Sequence, residues 1–284
     1  MSNFNWEKIH SVLFVPASKK RLNHIPDIEA DAFIIDLEDS IKEGMKDIAY
    51  QELTEWLDEG YDSKLEKNLI LRINKSRVRT EAELFSNKTA IKCIAIPKVE
   101  SADDIRAVTE AFPQKDIFVL IENPKGLIKL QTILQEQSVN AVGFGGEDFC
   151  VSMRMKKKNE YLIPIKSQLL MYSKVLCKPA FDMIEAEYSD LNKLENYALM
   201  SKEMGFDGKL AIHPAQIKVI NSLFHDFETD KAKNIIAAYE KSNSGFMMID
   251  GEIYEKPHID KMKKEQNDSK YFVNNGEKNE RNRQ

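Results

Sequence analysis

Three residues of this 284-residue chain combine a reactive side chain with a telling position. Glu122 and Asp148 each follow a short apolar run, at 117–121 and 141–144. Two carboxylates side by side repel unless a proton or a cation sits between them. Oxygen donors of this kind suit Mg2+, which keeps several waters and accepts substrate oxygens. The competing reading is that one of the two acids pairs with a lysine. No His/Cys ligand cluster accompanies them, which argues against zinc. Arg72 is the third residue and lies inside the apolar run 69–73. A buried arginine has to be paired. Its planar fork suits a carboxylate ligand, and an ion pair with Glu38 or Asp39 accounts for it equally well.

Other polar residues stand at similar places. Asp36, Glu38 and Asp39 form an acidic group at the end of the run 32–37. One of them could orient metal-bound water or Arg72, while structural support is the plainer role for Asp36 and Asp39. Gly143-Phe144-Gly145-Gly146 lacks the spacing of a phosphate loop. Its glycines instead let backbone approach a ligand beside Asp148. His213 is read as a structural histidine. Cys150 has no paired histidine, which argues against a thiol nucleophile.

These residues need elements that bring them together. Apolar runs occur at 11–15, 32–37, 69–73, 93–96, 117–121, 141–144, 179–184 and 209–212. Between most of them lie segments with apolar residues at three- and four-residue spacing: 42–58, 102–112, 127–137, 165–176, 191–204 and 216–224. Ser101 and Asp190 suit N-caps, Pro164 and Pro214 suit first turns, and Gly205 suits a C-terminal cap. Eight such alternations predict an α/β fold, a (β/α)8 TIM-type barrel, over a doubly wound open sheet. Strand C-terminal ends converge on one barrel face, so the scattered acids and Arg72 would ring one mouth. The barrel is expected over 1–227. A helical lid extension follows at 228–260, then a charged, disordered tail at 261–284.

Composition excludes several classes. Lys plus Arg number 41 against 46 Asp plus Glu, a net charge of −5, so no basic excess exists to neutralise nucleic-acid phosphates. Three cysteines without a CxxC pair suit free thiols in a reducing compartment. No apolar run approaches the ~18 residues of a membrane span, and residues 1–10 lack the apolar core of a signal peptide. The expectation is a cytoplasmic protein with no membrane or nucleic-acid partner.

In order along the chain stand Leu13-Phe14-Val15-Pro16, Asp36-Leu37-Glu38-Asp39-Ser40, Leu71-Arg72-Ile73-Asn74, Pro97-Lys98-Val99-Glu100, Ile121-Glu122-Asn123-Pro124, Gly145-Gly146-Glu147-Asp148 and Gly205-Phe206-Asp207-Gly208-Lys209-Leu210-Ala211-Ile212-His213-Pro214. Together they resemble the citrate lyase β-subunit/malyl-CoA lyase family of metal-dependent carbon–carbon lyases, over residues 11–257. The resemblance implies a TIM-type barrel in homo-oligomers, often trimers. It implies Mg2+-dependent cleavage or formation of a β-hydroxyacyl thioester of the citryl-, malyl- or citramalyl type, carried on coenzyme A or an acyl-carrier protein, giving a small oxo-acid and an acyl thioester. A subunit that works only within a complex, or a divergent thioesterase or aldolase, is the alternative. By the same resemblance Glu122 and Asp148 are the Mg2+ ligands, with Glu122 also facing substrate, and Arg72 grips the oxo-acid carboxylate. Glu38 supports the metal-water shell, and Gly145 and Gly146 line the substrate. A C-terminal segment, here 250–257, covers a neighbour's site and brings an acid to it. Glu255 stands where the family usually has Asp. Ala17 replaces a common glycine and Asn123 a common threonine.

Overall fold

Runs of Ile, Val, Leu and Phe become strands in the computed structural model, and the amphipathic segments between them become helices. The structure describes residues 4–59, 67–225, 229–242, 244–249 and 251–263. The strands are β1 (Ser11–Pro16), β2 (Ala32–Asp36), β3 (Asn68–Arg72), β4 (Ile91–Ile96), β5 (Asp116–Ile121), β6 (Val139–Phe144), β7 (Ala180–Asp182) and β8 (Gly208–Ala211). They close in sequence order into a parallel barrel, with β8 returning to β1 through Ser11↔Lys209, Val12↔Leu210 and Leu13↔Ala211. The expected barrel is therefore the observed fold, and the open sheet is excluded. The seventh barrel strand is the shortest, three residues long.

Successive strand side chains point to opposite faces, and the inner set fills the barrel. Val12, Ile34, Ile70, Ala95, Phe118, Leu120, Phe181 and Leu210 pack there in one buried cluster. The chain's start closes the cluster at the N-terminal end of the strands. Trp6 stacks on Phe118 with ring centroids 5.7 Å apart, and its indole N–H donates to Asp116 Oδ2 at 3.2 Å. This plug, with Phe4 stacked on Trp6 at 4.8 Å, has no counterpart in the sequence reading.

The helices are α1 (Lys19–Leu22), α2 (Lys46–Asp58), α3 (Val78–Phe85), α4 (Ala102–Ala111), α5 (Pro124–Ile128), α6 (Leu130–Leu134), α7 (Gly146–Ser152), α8 (Asn159–Val175), α9 (Leu191–Met204), α10 (Pro214–His225) and α11 (Thr229–Lys241). Caps fall where expected for α9: Asp190 accepts from the Lys193 N–H at 2.9 Å, and Gly205 takes the left-handed conformation at φ +103°. Two expectations change. The helix predicted at 127–137 is broken into α5 and α6 at Lys129. Pro164 lies inside α8 rather than in its first turn, because the buried stripe Leu162, Lys166, Leu169, Leu170, Ser173 begins upstream of the proline.

The chain divides into two compact units, Met1–Asn221 and Ser222–Gln284. In the second, α11 and the antiparallel pair β9 (Phe246–Ile249) and β10 (Glu252–Glu255) form their own core of Ile235, Ile236, Tyr254 and Ile259. The boundary expected at 227/228 and the tail from 264 onward lie outside the described residues, while 261–263 are helical. Among the described residues no helix is long and apolar enough to cross a membrane.

Candidate active site

The alternation that packs the barrel also builds its mouth. Phe118 and Leu120 point inward on β5, so the next inward position is Glu122. Ile34 is followed in the same way by Asp36, and Ile70 by Arg72. Asp36 and Arg72 are also register partners across β2 and β3. The guanidinium meets the carboxylate at two points, Nε to Oδ1 and Nη2 to Oδ2, each at 2.7 Å. Its remaining nitrogen, Nη1, lies 3.1 Å from Glu38 Oε2 and 3.9 Å from Glu122 Oε1. The Phe14 ring lies against the guanidinium, 4.9 Å from centroid to Cζ. Arg72 is thus paired as the apolar run demanded, but chiefly with Asp36 rather than with Glu38 or Asp39.

Lys98 ties the acids together. Its backbone is left-handed, φ +48°, a conformation that costs a non-glycine residue. In that conformation its N–H donates to Glu122 Oε2 at 3.0 Å, while Nζ donates to Glu38 Oε1 at 2.7 Å and Asp39 Oδ2 at 3.0 Å. Behind them the buried Lys46 ammonium donates to the carbonyls of Leu37 and Glu38, both at 2.6 Å, and to Asn74 Oδ1 at 2.8 Å. The Asn74 N–H donates to Glu81 Oε2 at 2.9 Å, and the Tyr50 hydroxyl donates to Glu81 Oε1 at 2.8 Å. The loop carrying Glu38 is therefore held from below by a satisfied polar network.

Beside this network opens a cavity of about 420 Å3. Arg72, Glu122, Gly145, Gly146 and Asp148 line it together with Phe14, Leu120 and Leu210. Gly145 sits so close to Glu122 that a Cβ there would stand 2.3 Å from its Cγ. The glycine is what leaves the carboxylate its place. Burial pushes the Glu122 carboxyl up to about 8, opposed by Arg72 and reinforced by the charges of Glu38 and Asp148. Burial likewise raises Glu38 against the pull of Arg72 and Lys98. Asp36 is different. Burial would raise it, but Arg72 overrides burial and holds it below its ordinary value. A buried carboxylate beside two other acids is short of positive charge, and that donor set fits a hard divalent cation. Among the described residues no group of three or more His, Cys, Asp or Glu could hold a metal by itself. Two protein carboxylates with waters or substrate oxygens are what Mg2+ accepts.

The structure brings Glu38, Arg72, Glu122, Gly145, Gly146 and Asp148 to one mouth. Glu255 is on β10 in the second unit, exposed, its N–H donating to His258 Nδ1 at 3.1 Å. His213 stacks on Tyr188 with centroids 4.4 Å apart, and burial raises the Cys150 thiol, unlike a nucleophile's. The sequence offers Asp36 structural support as its plainer role and the orienting of Arg72 only as one choice among three acids, and it assigns Lys98, Lys46 and Glu81 no role. Strand register would have found Asp36, since only a cross-strand neighbour can chelate Arg72 this way.

Residues 10–214 match a family model described as HpcH/HpaI aldolase/citrate lyase. The chain belongs to that family. Members of the HpcH/HpaI aldolase/citrate lyase family similar to it carry more than one activity in their names. A (3S)-malyl-CoA thioesterase of Cereibacter sphaeroides is 29% identical over 262 residues, covering 88% of this chain and 90% of the relative. Citrate lyase subunit beta of Haemophilus influenzae is 26% identical, over 89% and 94% of the two chains. Mitochondrial citramalyl-CoA lyase of Mus musculus is 24% identical, over 85% and 79%. Among solved structures, CitE of Mycobacterium tuberculosis in complex with magnesium, acetoacetate and coenzyme A shares the fold with a TM-score of 0.78 at 22% identity, over 92% and 98% of the chains.

Proposed function

We propose that this chain is a Mg2+-dependent carbon–carbon lyase acting on a β-hydroxyacyl thioester. The observation that carries the reading is the meeting of Glu122, Asp148 and an Asp36-braced Arg72 on one cavity. The metal bound to CitE and the names of the lyase relatives support it. Glu122 and Asp148 would hold the ion, which supplies Lewis acidity toward the oxo or hydroxyl oxygen of the substrate. Arg72 holds the substrate carboxylate, its plane fixed by Asp36. Glu38 orders water at the mouth, held by Lys98. Gly145 and Gly146 admit the substrate close to backbone. In the cleavage direction a base takes the β-hydroxyl proton and the carbon–carbon bond breaks, giving an oxo-acid and a thioester enolate. Glu255 of a neighbouring copy, in a homo-oligomer such as a trimer, protonates the enolate carbon. The thioester carrier is coenzyme A or an acyl-carrier protein, and the compartment is the cytoplasm.

The (3S)-malyl-CoA thioesterase likeness favours a second reading, thioester hydrolysis on the same site. One assay separates them. The purified chain with Mg2+ is given malyl-, citramalyl- or citryl-CoA, and oxo-acid and free thiol are followed separately. Lyase chemistry releases oxo-acid with no free thiol; hydrolysis releases thiol and no oxo-acid. Oxo-acid release that requires added partner proteins would mark a subunit of a larger lyase.

A further inference from the structure

A second polar cavity, of about 130 Å3, lies outside the barrel wall between β7 and β8 on one side and α8 and α9 on the other. Phe181 and Leu210 point into the barrel, so Asp182 and Lys209 point outward, toward the helices. Four ammonium groups line the cavity: Lys157, Lys166, Lys193 and Lys209. Two of them are almost wholly buried, Lys166 at 1% and Lys209 at 2% exposure. Burying a charge is costly unless it is paired, and here the pairing is incomplete. Both ammoniums converge on a single oxygen, Asp182 Oδ2, at 2.9 and 3.3 Å, and that oxygen also accepts from the Ser201 hydroxyl at 2.5 Å. Lys209 adds the Met183 carbonyl at 2.7 Å, and Lys166 adds Asn159 Oδ1 at 3.3 Å.

The two outer lysines have their own acids. Glu185, buried, faces Lys193 at 3.3 Å and Lys157 at 3.8 Å. Glu187 and Glu147 pair with the same two lysines, but from the exposed side, where water screens them. The innermost pair, Lys166 and Lys209, therefore shares one carboxylate, Asp182, while Lys157 and Lys193 are matched by Glu185, Glu147 and Glu187. Independently, the Asn159 amide Nδ2 is buried on this cavity with no hydrogen-bond partner. Its orientation is fixed, because Oδ1 accepts from Lys166. A buried donor left without an acceptor calls for a partner atom, from a ligand or from water. Each ammonium has three protons, so Lys166 and Lys209 each keep one beyond the two bonds named.

We propose that this cavity binds a phosphate group, with Lys166, Lys193, Lys209 and the Asn159 amide as its donors. A cavity of about 130 Å3 has room for one tetrahedral oxyanion. Lysines bind phosphate as point charges. Burial draws the Lys209 ammonium below its ordinary value despite Asp182, which a bound anion would reverse. The cavity adjoins the barrel mouth, sharing Ile184 as a wall, but none of its donors takes part in the lyase reading.

The test uses the full chain, titrated calorimetrically with orthophosphate, and thermal unfolding in phosphate against chloride at equal ionic strength. Phosphate should bind one site and raise the unfolding temperature by several degrees. Asn159→Leu and Lys193→Met, both near the surface ends of their helices, should fold normally and weaken binding at least tenfold. Lys209→Met should abolish it. Binding should persist with Mg2+ and oxaloacetate present. Phenyl phosphate separates the sources: if it also binds, the cavity accepts a phosphate on a larger molecule, and if only orthophosphate binds, it takes the free ion; both uphold the site. Equal effects of chloride, undiminished binding by Asn159→Leu and Lys193→Met, or displacement by Mg2+ with oxaloacetate would each overturn it.

Discussion

Asp36 and Arg72 are register partners on adjacent parallel strands, and the guanidinium closes on the carboxylate through two 2.7 Å hydrogen bonds. The side edge of the arginine is thereby used up. Its Nη1 end is left facing Glu38, Glu122 and the cavity. The pair is a brace that aims one edge of a fork.

Asp36→Asn should loosen that brace and leave a buried guanidinium undercompensated. Breaking a buried pair costs about 3–5 kcal/mol, measurable by urea unfolding at pH 7. Asp36 is held below its ordinary 3.8 in the folded chain. Its contribution is therefore full above about pH 4 and drains away as pH falls through the lower folded value. The stability gap between wild type and Asp36→Asn should narrow in that acid window and stay constant from pH 6 to 8.

Glu122→Gln and Asp148→Asn should each lose Mg2+ binding in calorimetry and at least about 100-fold of kcat/KM, of the order expected when a group acting on developing charge is removed. Arg72→Ala should mainly raise KM for the oxo-acid in the condensation direction. Full activity in all three variants would remove the site assignment.

Gly145→Ala would place a Cβ 2.3 Å from Glu122 Cγ. The carboxylate has to move, so Mg2+ affinity should fall at least tenfold. Far-ultraviolet circular dichroism should be unchanged. Wild-type affinity in this variant would mean that Glu122 does not touch the ion.

Lys98 makes two separable contributions, one from its backbone and one from its ammonium. Its left-handed backbone costs alanine about 1 kcal/mol relative to glycine. Lys98→Gly should therefore be more stable than Lys98→Ala by that amount in urea unfolding. Both lose the Glu38 partner and should show equal drops in kcat. A difference in kcat would assign the catalytic effect to the backbone instead.

Trp6→Ala should cost about 3–5 kcal/mol, as for other buried large aromatic side chains. Below the new melting temperature the variant should turn over like wild type, because Trp6 packs far down the barrel from the mouth. Differential scanning calorimetry and a 25 °C assay check the two halves.

Eight apolar runs were enough to read the barrel, because a parallel sheet covered on both faces makes its strands near-continuous hydrophobic segments. Even β7, with three residues, kept its place in the count. The candidate acids and Arg72 were legible for the same reason: a charged residue that ends such a run sits where a buried strand opens onto the mouth. Which of the three acids braces Arg72 was not, since chelation depends on register between strands, here joining residues 36 positions apart. Lys98 was invisible because its use depends on a positive φ that no residue type announces. Trp6 lay in a polar opening segment, and Asp182 with Lys166 and Lys209 shows how poorly sequence tells buried lysines from surface ones. Helix α8 began early because its apolar stripe outran the proline.

The indole wedged among Phe4, Phe118 and Phe181 has a kinetic corollary. With the floor of the barrel sealed, traffic has a single doorway. Ligands that reach Arg72 come and go by way of the mouth alone, and the packed side chains of Val12, Ile34, Ile70 and Phe118 keep that so even where the indole is cut away.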